Sequence, residues 1–127
     1  MLVRIALGAA IMALMALPAV ADQSGSVAVL QGLDKVTARV SAIDAPLNIA
    51  VRFGTLEITA RTCRRRPPEE PPETAAFLDI RDLKAGQAPA RLFSGWMFAS
   101  SPALSALEHP VYDVWVIDCR MAVPGNP

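Results

Sequence analysis

The sequence predicts an all-β domain, a small antiparallel sandwich or a partly open barrel with one short helical turn and one proline-rich loop. Apolar and polar residues alternate with a period of two through several short runs, which is typical of strands with one face buried. Glycine, proline and aspartate residues separate the runs, as expected of turns between strands. Seven short strands, little helix and no internal repeat favour the all-β fold.

The first 21 residues predict an export signal. Arg4 precedes an apolar run, residues 5–17, and the small-residue sequence Ala19-Val20-Ala21 follows, a pattern that signal peptidases cleave. We expect cleavage after Ala21 and a single periplasmic domain over residues 22–127. The apolar run is shorter than the roughly 20 residues that span a bilayer, so no membrane-spanning segment is expected after cleavage.

The charge and the motifs of the mature chain exclude several classes of protein. Without the signal, eleven basic and twelve acidic residues leave a net charge of −1. Proteins that bind nucleic acid usually carry a basic excess, so no nucleic-acid partner is expected. The sequence contains no phosphate-binding glycine loop and no cluster of metal ligands, and we therefore expect neither a cofactor nor a metal.

Four strands are expected in the first half of the mature chain. Residues 27–30 are short, apolar and β-prone, and residues 36–41 alternate with their valines on the buried face. Residues 44–46 contain aspartate and proline and should form a turn. Two further alternating runs, residues 47–53 and 55–61, follow, the second of which ends at Cys63, and this succession of strands predicts a sheet.

Residues 64–73 are expected to form a charged, proline-rich loop. Two proline pairs exclude this segment from the centre of a sheet. It is either a solvated connection whose charges pair internally or a stiff, polyproline-like arm that binds a partner. The interaction candidates under the second hypothesis are Arg64, Arg65, Arg66, Glu69, Glu70 and, on a later strand, Trp96.

Three strands and one helical turn are expected in the second half. Residues 75–83 and 90–98 have β character, and residues 111–119 are apolar on both faces, which predicts a central strand. Between the last two strands, a pair of serines followed by proline resembles a helix start. Residues 103–107 would then form one or two helical turns, which Pro110 ends.

Cys63 and Cys119 are expected to form a disulfide, because the domain is predicted to be exported to an oxidising compartment. Two free buried thiols or a metal pair are the alternatives. A metal site would need more ligands, and His109 is the only histidine in the chain.

One group of residues has the composition of a catalytic site. Ser100, Ser101, His109 and Asp113 supply a nucleophile, a base and a carboxylate near one irregular segment, so a small hydrolase is one alternative function. No G-x-S-x-G motif surrounds the serines. The serines are equally suited to cap a turn, and His109 to bond locally.

A second alternative is a carrier for a small apolar or cell-wall ligand. Trp96, Met97 and Phe98 could line an apolar groove that binds such a ligand, although aromatic residues on strands usually belong to the core.

Four segments resemble an uncharacterised family of short exported proteins from Gram-negative bacteria, domain of unknown function two-one-five-five. They are RFGTLEI at residues 52–58, RPPEE at 66–70, FSGWMFASSP at 93–102 and LEHPVYDVWVIDC at 107–119. The resemblance implies a periplasmic, disulfide-bearing domain and brings no known activity. Genes of this family often stand beside the gene for an accessory subunit of the respiratory, proton-pumping NADH dehydrogenase, which implies an inner-membrane partner.

These observations together predict a non-catalytic interaction or accessory module of the cell envelope. Its expected partner is an envelope protein or an inner-membrane complex, with the respiratory NADH dehydrogenase as the specific suggestion.

Overall fold

The structure is a computed structural model, and it describes residues 23–104 and 106–121. The predicted export signal, residues 1–21, lies outside the described residues. The described chain forms eight strands, which are β1 Gln23–Ser24, β2 Val27–Asp34, β3 Arg39–Pro46, β4 Val51–Phe53, β5 Leu56–Arg65, β6 Thr74–Asp82, β7 Ala90–Phe98 and β8 Tyr112–Arg120.

The strands form two antiparallel sheets. The five-stranded sheet has the order β1-β5-β6-β7, with β4 also pairing with β5, and the three-stranded sheet has the order β3-β2-β8. The two sheets are arranged as a sandwich and do not close into a barrel. This confirms the all-β prediction and selects the sandwich.

The core lies between the sheets and consists of alternate residues of the long strands. Leu30 of β2, Leu56 and Ile58 of β5, and Leu78 and Ile80 of β6 are fully buried. Each strand therefore turns one face inward, as the period of two predicts. The opposite face of the five-stranded sheet, which we call the outer face, carries the partly exposed residues of β5, β6 and β7.

The predicted strand at residues 36–41 is wrong in its position, because β3 begins only at Arg39. Asp34 Oδ1 accepts hydrogen bonds from the N–H groups of Val36 (2.9 Å) and Thr37 (3.2 Å) and so holds a turn at this point. Val36 is 78% exposed instead of buried. These side-chain bonds to the backbone prevail over a short alternating pattern.

Two neighbouring predictions also fail in position. Residues 44–46 were expected to form a turn but belong to β3, where they pair with residues 27–29. The strand expected at residues 47–53 is reduced to β4, Val51–Phe53, because the chain turns near Asn48, which has a φ of 62°. Asparagine tolerates this left-handed conformation.

The last strand, β8, is an edge strand and not the predicted central one. It pairs with β2 alone among the described strands. Val114, Val116 and Cys119 are buried, whereas Ile117 on the other face is 39% exposed. The apolar character of both faces therefore reflects a partly exposed apolar surface, not a central position.

The predicted helical turn at residues 103–107 is absent from the residues described there, of which Ser105 is not one. Residues 102–104 form a single turn, in which the Leu104 N–H donates to the Ser101 carbonyl oxygen (3.1 Å). Ser100 does not cap a helix, because its hydroxyl bonds to Glu73.

The proline-rich loop is shorter than expected, because Arg64 and Arg65 belong to β5 and the loop spans residues 66–73. Its ends are joined by a hydrogen bond from the Arg66 N–H to the Glu73 carbonyl oxygen (3.0 Å). Pro67 is fully buried, while the five residues after it are exposed. The loop thus closes the β5–β6 hairpin and is anchored at its start by the buried Pro67.

Cys63 and Cys119 form a disulfide with a Cα–Cα distance of 5.8 Å. The bond joins β5 of the five-stranded sheet to β8 of the three-stranded sheet, and both residues are buried. The structure therefore contains the predicted bridge, and this bridge ties the two layers of the sandwich together.

Candidate functional site

The outer face of the five-stranded sheet has an apolar end. Ala75 lies opposite Phe98 in the register of β6 and β7, and Phe77 lies opposite Trp96. The Phe77 and Trp96 rings meet edge to face, with centroids 5.6 Å apart. Trp96 is nevertheless 40% exposed and Phe98 39% exposed. Two large aromatic residues therefore remain accessible on one small surface.

A groove of about 300 Å³ lies over this apolar end, and we call it the Trp96 groove. Arg64, Ala75 and Phe98 are neighbours across three adjacent strands. Because alanine is much smaller than the residues on either side, it forms the floor of the groove. The lining residues are Arg64, Arg66, Glu73, Ala75, Trp96 and Phe98.

A larger cleft of about 570 Å³ adjoins the Trp96 groove, and we call it the loop cleft. Arg66 and Glu73 line both spaces. Prolines of the loop and Ile117 supply apolar surface, and the other charged residues come from both sheets and the loop. The lining residues are Arg65, Arg66, Pro67, Pro68, Glu70, Pro72, Glu73, Thr74, Ala99, Ser100, Ile117 and Asp118.

Glu73, at the junction of the two spaces, is held in place by Ser100. Glu73 Oε2 accepts a bond from the Ser100 hydroxyl, and Oε1 accepts bonds from the N–H groups of Thr74 (3.0 Å) and Ser100 (3.2 Å). The Ser100 hydroxyl bond, with help from these amides and Arg66, lowers the pKa of Glu73 below its ordinary value. Ser100 therefore positions an ionised carboxylate.

The arginines of the groove differ in their contacts. Arg66 interacts electrostatically with Glu73. Arg64 is exposed and makes no side-chain hydrogen bond or ion pair with any residue that the structure describes. The surface of the Trp96 groove thus combines two exposed aromatic residues with Arg64, whose charge is not paired with any side chain in the part of the chain that the structure describes.

The structure does not bring the four predicted catalytic residues together. Ser100 bonds to Glu73, with its hydroxyl oxygen 3.5 Å from that of Ser101. Asp113 forms an ion pair with Lys35, in which Asp113 Oδ1 and Lys35 Nζ are 2.9 Å apart. His109 bonds to other groups, described next. No hydrogen bond among the described residues links either serine to His109.

His109 is buried and has a partner at both ring nitrogens. Its Nδ1 accepts bonds from the N–H groups of Val111 (3.0 Å) and Tyr112 (3.2 Å). This arrangement places the proton on Nε2, which donates to Asp82 Oδ2 (3.0 Å). Neither nitrogen is available to accept a proton from a serine, so the arrangement lacks the base that a serine hydrolase needs.

Asp82 is the residue of this cluster whose role the sequence did not predict. It is 4% exposed and lies at the end of β6, with Lys84 Nζ 3.7 Å from its Oδ2. Burial opposes its ionisation, but the side-chain bonds from His109 and Thr55, together with the charge of Lys84, outweigh burial and lower the pKa of Asp82. One feature of the sequence indicated that Asp82 is buried: the alternation along β6 places it on the same inward face as Leu78 and Ile80.

Two further contacts complete this group of residues, which we call the His109 cluster. Lys35 Nζ donates to the His109 carbonyl oxygen (2.9 Å), and the His109 and Tyr112 rings have centroids 5.2 Å apart. The cluster connects the β2–β3 turn, the end of β6 and the segment before β8. Its geometry is that of a structural polar network.

The described part of the chain contains no group of three or more acidic, histidine or cysteine residues that could hold a metal ion. Within the same residues, no helix has the length and apolar character needed to cross a membrane.

The Trp96 groove is open to solvent, whereas a small-ligand carrier needs a pocket that encloses most of its ligand.

The model of the family described as an uncharacterised protein conserved in bacteria (DUF2155) matches residues 28–119. An uncharacterised protein of Rickettsia prowazekii (strain Madrid E) is 31% identical over 87 residues, which are 68% of this chain and 56% of that protein. The chain thus spans little more than half of this relative's length. No solved structure matches the chain at a significant level. The chain belongs to the DUF2155 family, the one indicated by its sequence motifs.

Proposed function

We propose that this protein is a non-catalytic module that is exported to the periplasm and binds another protein of the cell envelope. The Trp96 groove and the adjoining loop cleft form the binding surface. Ser100, His109 and Asp113 of the predicted catalytic set bond to Glu73, Asp82 and Lys35, and neither serine bonds to His109, so the set supplies no catalytic arrangement.

The observation that carries this proposal is the exposure of Trp96 and Phe98 beside Arg64. Aromatic residues and arginine are enriched at protein interfaces, where they provide much of the binding energy. Each aromatic residue is about 40% exposed, and both line the same groove as Arg64, whose side chain has no partner among the residues that the structure describes. Folding of this domain alone does not require such an arrangement, whereas a partner surface would use all three groups.

The partner that we propose is part of an inner-membrane assembly, with the respiratory NADH dehydrogenase as the first candidate. The support for this choice is the sequence resemblance and the gene neighbourhood that it implies. The predicted export signal at residues 1–21 supports the periplasmic location.

Photo-crosslinking in intact cells tests the binding surface. A photoreactive phenylalanine analogue replaces Arg66 or Phe98, and the control replaces Gln87, an exposed residue at the opposite end of β6 and β7. We expect one discrete adduct from residues 66 and 98, identified by mass spectrometry as an envelope protein, and none from residue 87. No adduct, or the same adducts from all three positions, would refute the proposed surface.

A separate measurement tests export. The periplasmic fraction should contain a chain whose first residue is Asp22. A chain that retains Met1 and stays in the cytoplasm would contradict the proposed location, irrespective of the crosslinking result.

A further inference from the structure

β7 is an edge strand with unusually little protection. It pairs with β6 alone among the described strands, and Arg91 is the single charge among its nine residues. Residues 93–98 contain neither a charge nor a proline. Natural proteins normally shield a long apolar edge with charges, prolines or a covering segment, because open edges pair with other chains.

The register shows which backbone groups of β7 point away from β6. The Ala99 N–H donates to the Thr74 carbonyl oxygen (2.9 Å). Inward and outward hydrogen bonding alternate along an antiparallel strand. The peptide groups of residues 95 and 97 therefore bond to β6, whereas those of Ser94 and Trp96 point outward.

The Phe98 carbonyl group, at the end of β7, points away from β6, as the alternation along the strand requires. The Phe98 carbonyl oxygen accepts a bond from the Ser101 N–H (3.2 Å), outside the sheet. Within the described chain, no such partner exists for the N–H and C=O groups of Ser94 and Trp96. Four backbone groups thus form a short open edge that ends beside the Trp96 groove.

We infer that the partner contributes an extended segment that adds to β7 as an antiparallel strand. This inference rests on the proposed function and specifies the form of its partner. The main-chain groups of Ser94 and Trp96 would bond to the incoming strand, as in other cases of strand addition. The partner is therefore a β-prone peptide segment.

The side chains of β7 specify the composition of that segment. Residues of the incoming strand on the outer face lie beside Trp96 and Phe98, so apolar side chains suit these positions. Arg91 is exposed, acts electrostatically on Asp79, and forms no side-chain hydrogen bond or ion pair with a residue that the structure describes. A carboxylate near the C-terminal end of an antiparallel segment would lie near Arg91. The segment is thus apolar at its centre and acidic at its C-terminal end.

A second copy of this chain fits the edge less well. The β7 strand of a second copy contains no aspartate or glutamate, so it would place no carboxylate near Arg91. Self-association therefore serves as a contrary outcome in the test.

The test uses amide hydrogen exchange of the mature protein, followed by NMR. The probe is a nine-residue, end-capped peptide of alternating valine and threonine that ends in two glutamates. One control peptide is N-methylated at alternate residues and cannot donate to the edge, and a second ends in two lysines. Trp96→Lys is the test variant. Val40→Lys, at an exposed apolar position on the edge strand β3, is the matched control.

We expect the glutamate peptide to slow exchange at the Ser94 and Trp96 amides by about tenfold or more at saturation, as new hydrogen bonds do. The lysine peptide should bind about two- to fivefold more weakly, as expected of one exposed ion pair. Protection should disappear with the N-methylated peptide and in Trp96→Lys, and it should persist in Val40→Lys.

Three results would overturn the inference. They are unchanged exchange at Ser94 and Trp96, equal protection by the N-methylated peptide, and protection that rises with protein concentration without peptide, which would indicate a second copy. If the crosslinks from residues 66 and 98 form while the peptide gives no protection, the proposed function stands and strand addition falls. If both fail, the proposed surface is also wrong.

Discussion

The His109 cluster and the Trp96 groove contain similar residues, namely aromatic rings, carboxylates and basic side chains. In the cluster these residues bond to one another and to the backbone, whereas in the groove several of them are exposed to solvent. In the cluster, His109 bonds to Asp82 and to two backbone amides, and all three contacts lie within the chain. In the groove, Trp96 is 40% exposed and Arg64 has no described partner. Reactive residue types therefore serve folding in one region and remain accessible in the other.

Two aspartates of β6 show how this difference arises. Asp79 and Asp82 lie three positions apart, so they point to opposite faces of the strand. Asp82 is buried against His109. Asp79 lies on the outer face, where it accepts bonds from Arg61 Nε (2.9 Å) and the Ser94 hydroxyl (2.6 Å). The face of the sheet, more than the residue type, decides the environment of each carboxylate.

The largest expected effect comes from removing the bridge that supports both regions. The double substitution Cys63→Ala and Cys119→Ala should lower the free energy of unfolding by about 2 to 5 kcal/mol, because the bond joins the two sheets across a long loop. Denaturant unfolding of the wild type and the variant under non-reducing conditions measures this. A loss below about 1 kcal/mol would show that packing alone holds the sheets together.

The substitution His109→Ala should lower the stability of the domain without affecting the binding surface at the Trp96 groove. It leaves the buried carboxylate of Asp82 without its closest partner and frees two amides, so we expect a loss of about 3 kcal/mol in unfolding free energy. The control Ser100→Ala, at an exposed residue, should cost about 1 kcal/mol or less. In His109→Ala, the yield of the crosslink from residue 66, divided by the amount of folded protein, should equal that of the wild type. A selective loss of function in a fully stable His109→Ala protein would instead support the hydrolase alternative.

Acid should weaken the cluster through Asp82. Burial opposes the ionisation of Asp82, but its side-chain bonds with His109 and Thr55 and the nearby charge of Lys84 hold its pKa below the ordinary value of 3.8. Because the folded pKa is the lower one, this contribution to stability is present above pH 3.8 and is lost as the pH falls through the folded pKa. Unfolding measured from about pH 6 to about pH 2 should show a shallower acid decline in Asp82→Asn. Identical slopes would contradict this role of Asp82.

The smallest expected effect on stability comes from the groove. Trp96→Ala removes a half-exposed ring and its edge-to-face contact with Phe77, which should cost about 0.5 to 1.5 kcal/mol. The crosslink from residue 66 should nevertheless be lost, because the ring belongs to the proposed binding surface. Val40→Ala, at an exposed position of β3, should change neither quantity. Retained crosslinking in a folded Trp96→Ala protein would remove Trp96 from that surface.

Local sequence patterns predicted most of the long strands well. β5, β6, β7 and β8 lie close to the runs predicted for them, because their alternation extends over several residues. The prediction failed near Val36 and Asn48, where two hydrogen bonds to Asp34 and a left-handed residue shift the turns. Short patterns of this kind are outweighed by local backbone bonding.

The candidate site was predicted less completely. Arg64, Arg66 and Trp96 were singled out from the sequence, and the structure places all three along one groove. The small floor residue Ala75 and the open edge of β7 had no sequence signal, because both depend on which strands are neighbours. The proximity of Ser100 to His109 in sequence likewise did not predict contact, since Glu73 and Asp82 bind them from other parts of the chain.

The sequence by itself determined the alternation of buried and exposed residues, and it predicted export and a disulfide between its two cysteines. The alternation follows from local periodicity, the expected export from a terminal motif, and the expected disulfide from that export. Only the tertiary structure decided that β8 lies at an edge, that Asp82 meets His109, and that Arg64, Ala75 and Phe98 form one row. Strand order and register depend on contacts between distant segments, and a period of two along one strand does not specify its neighbour.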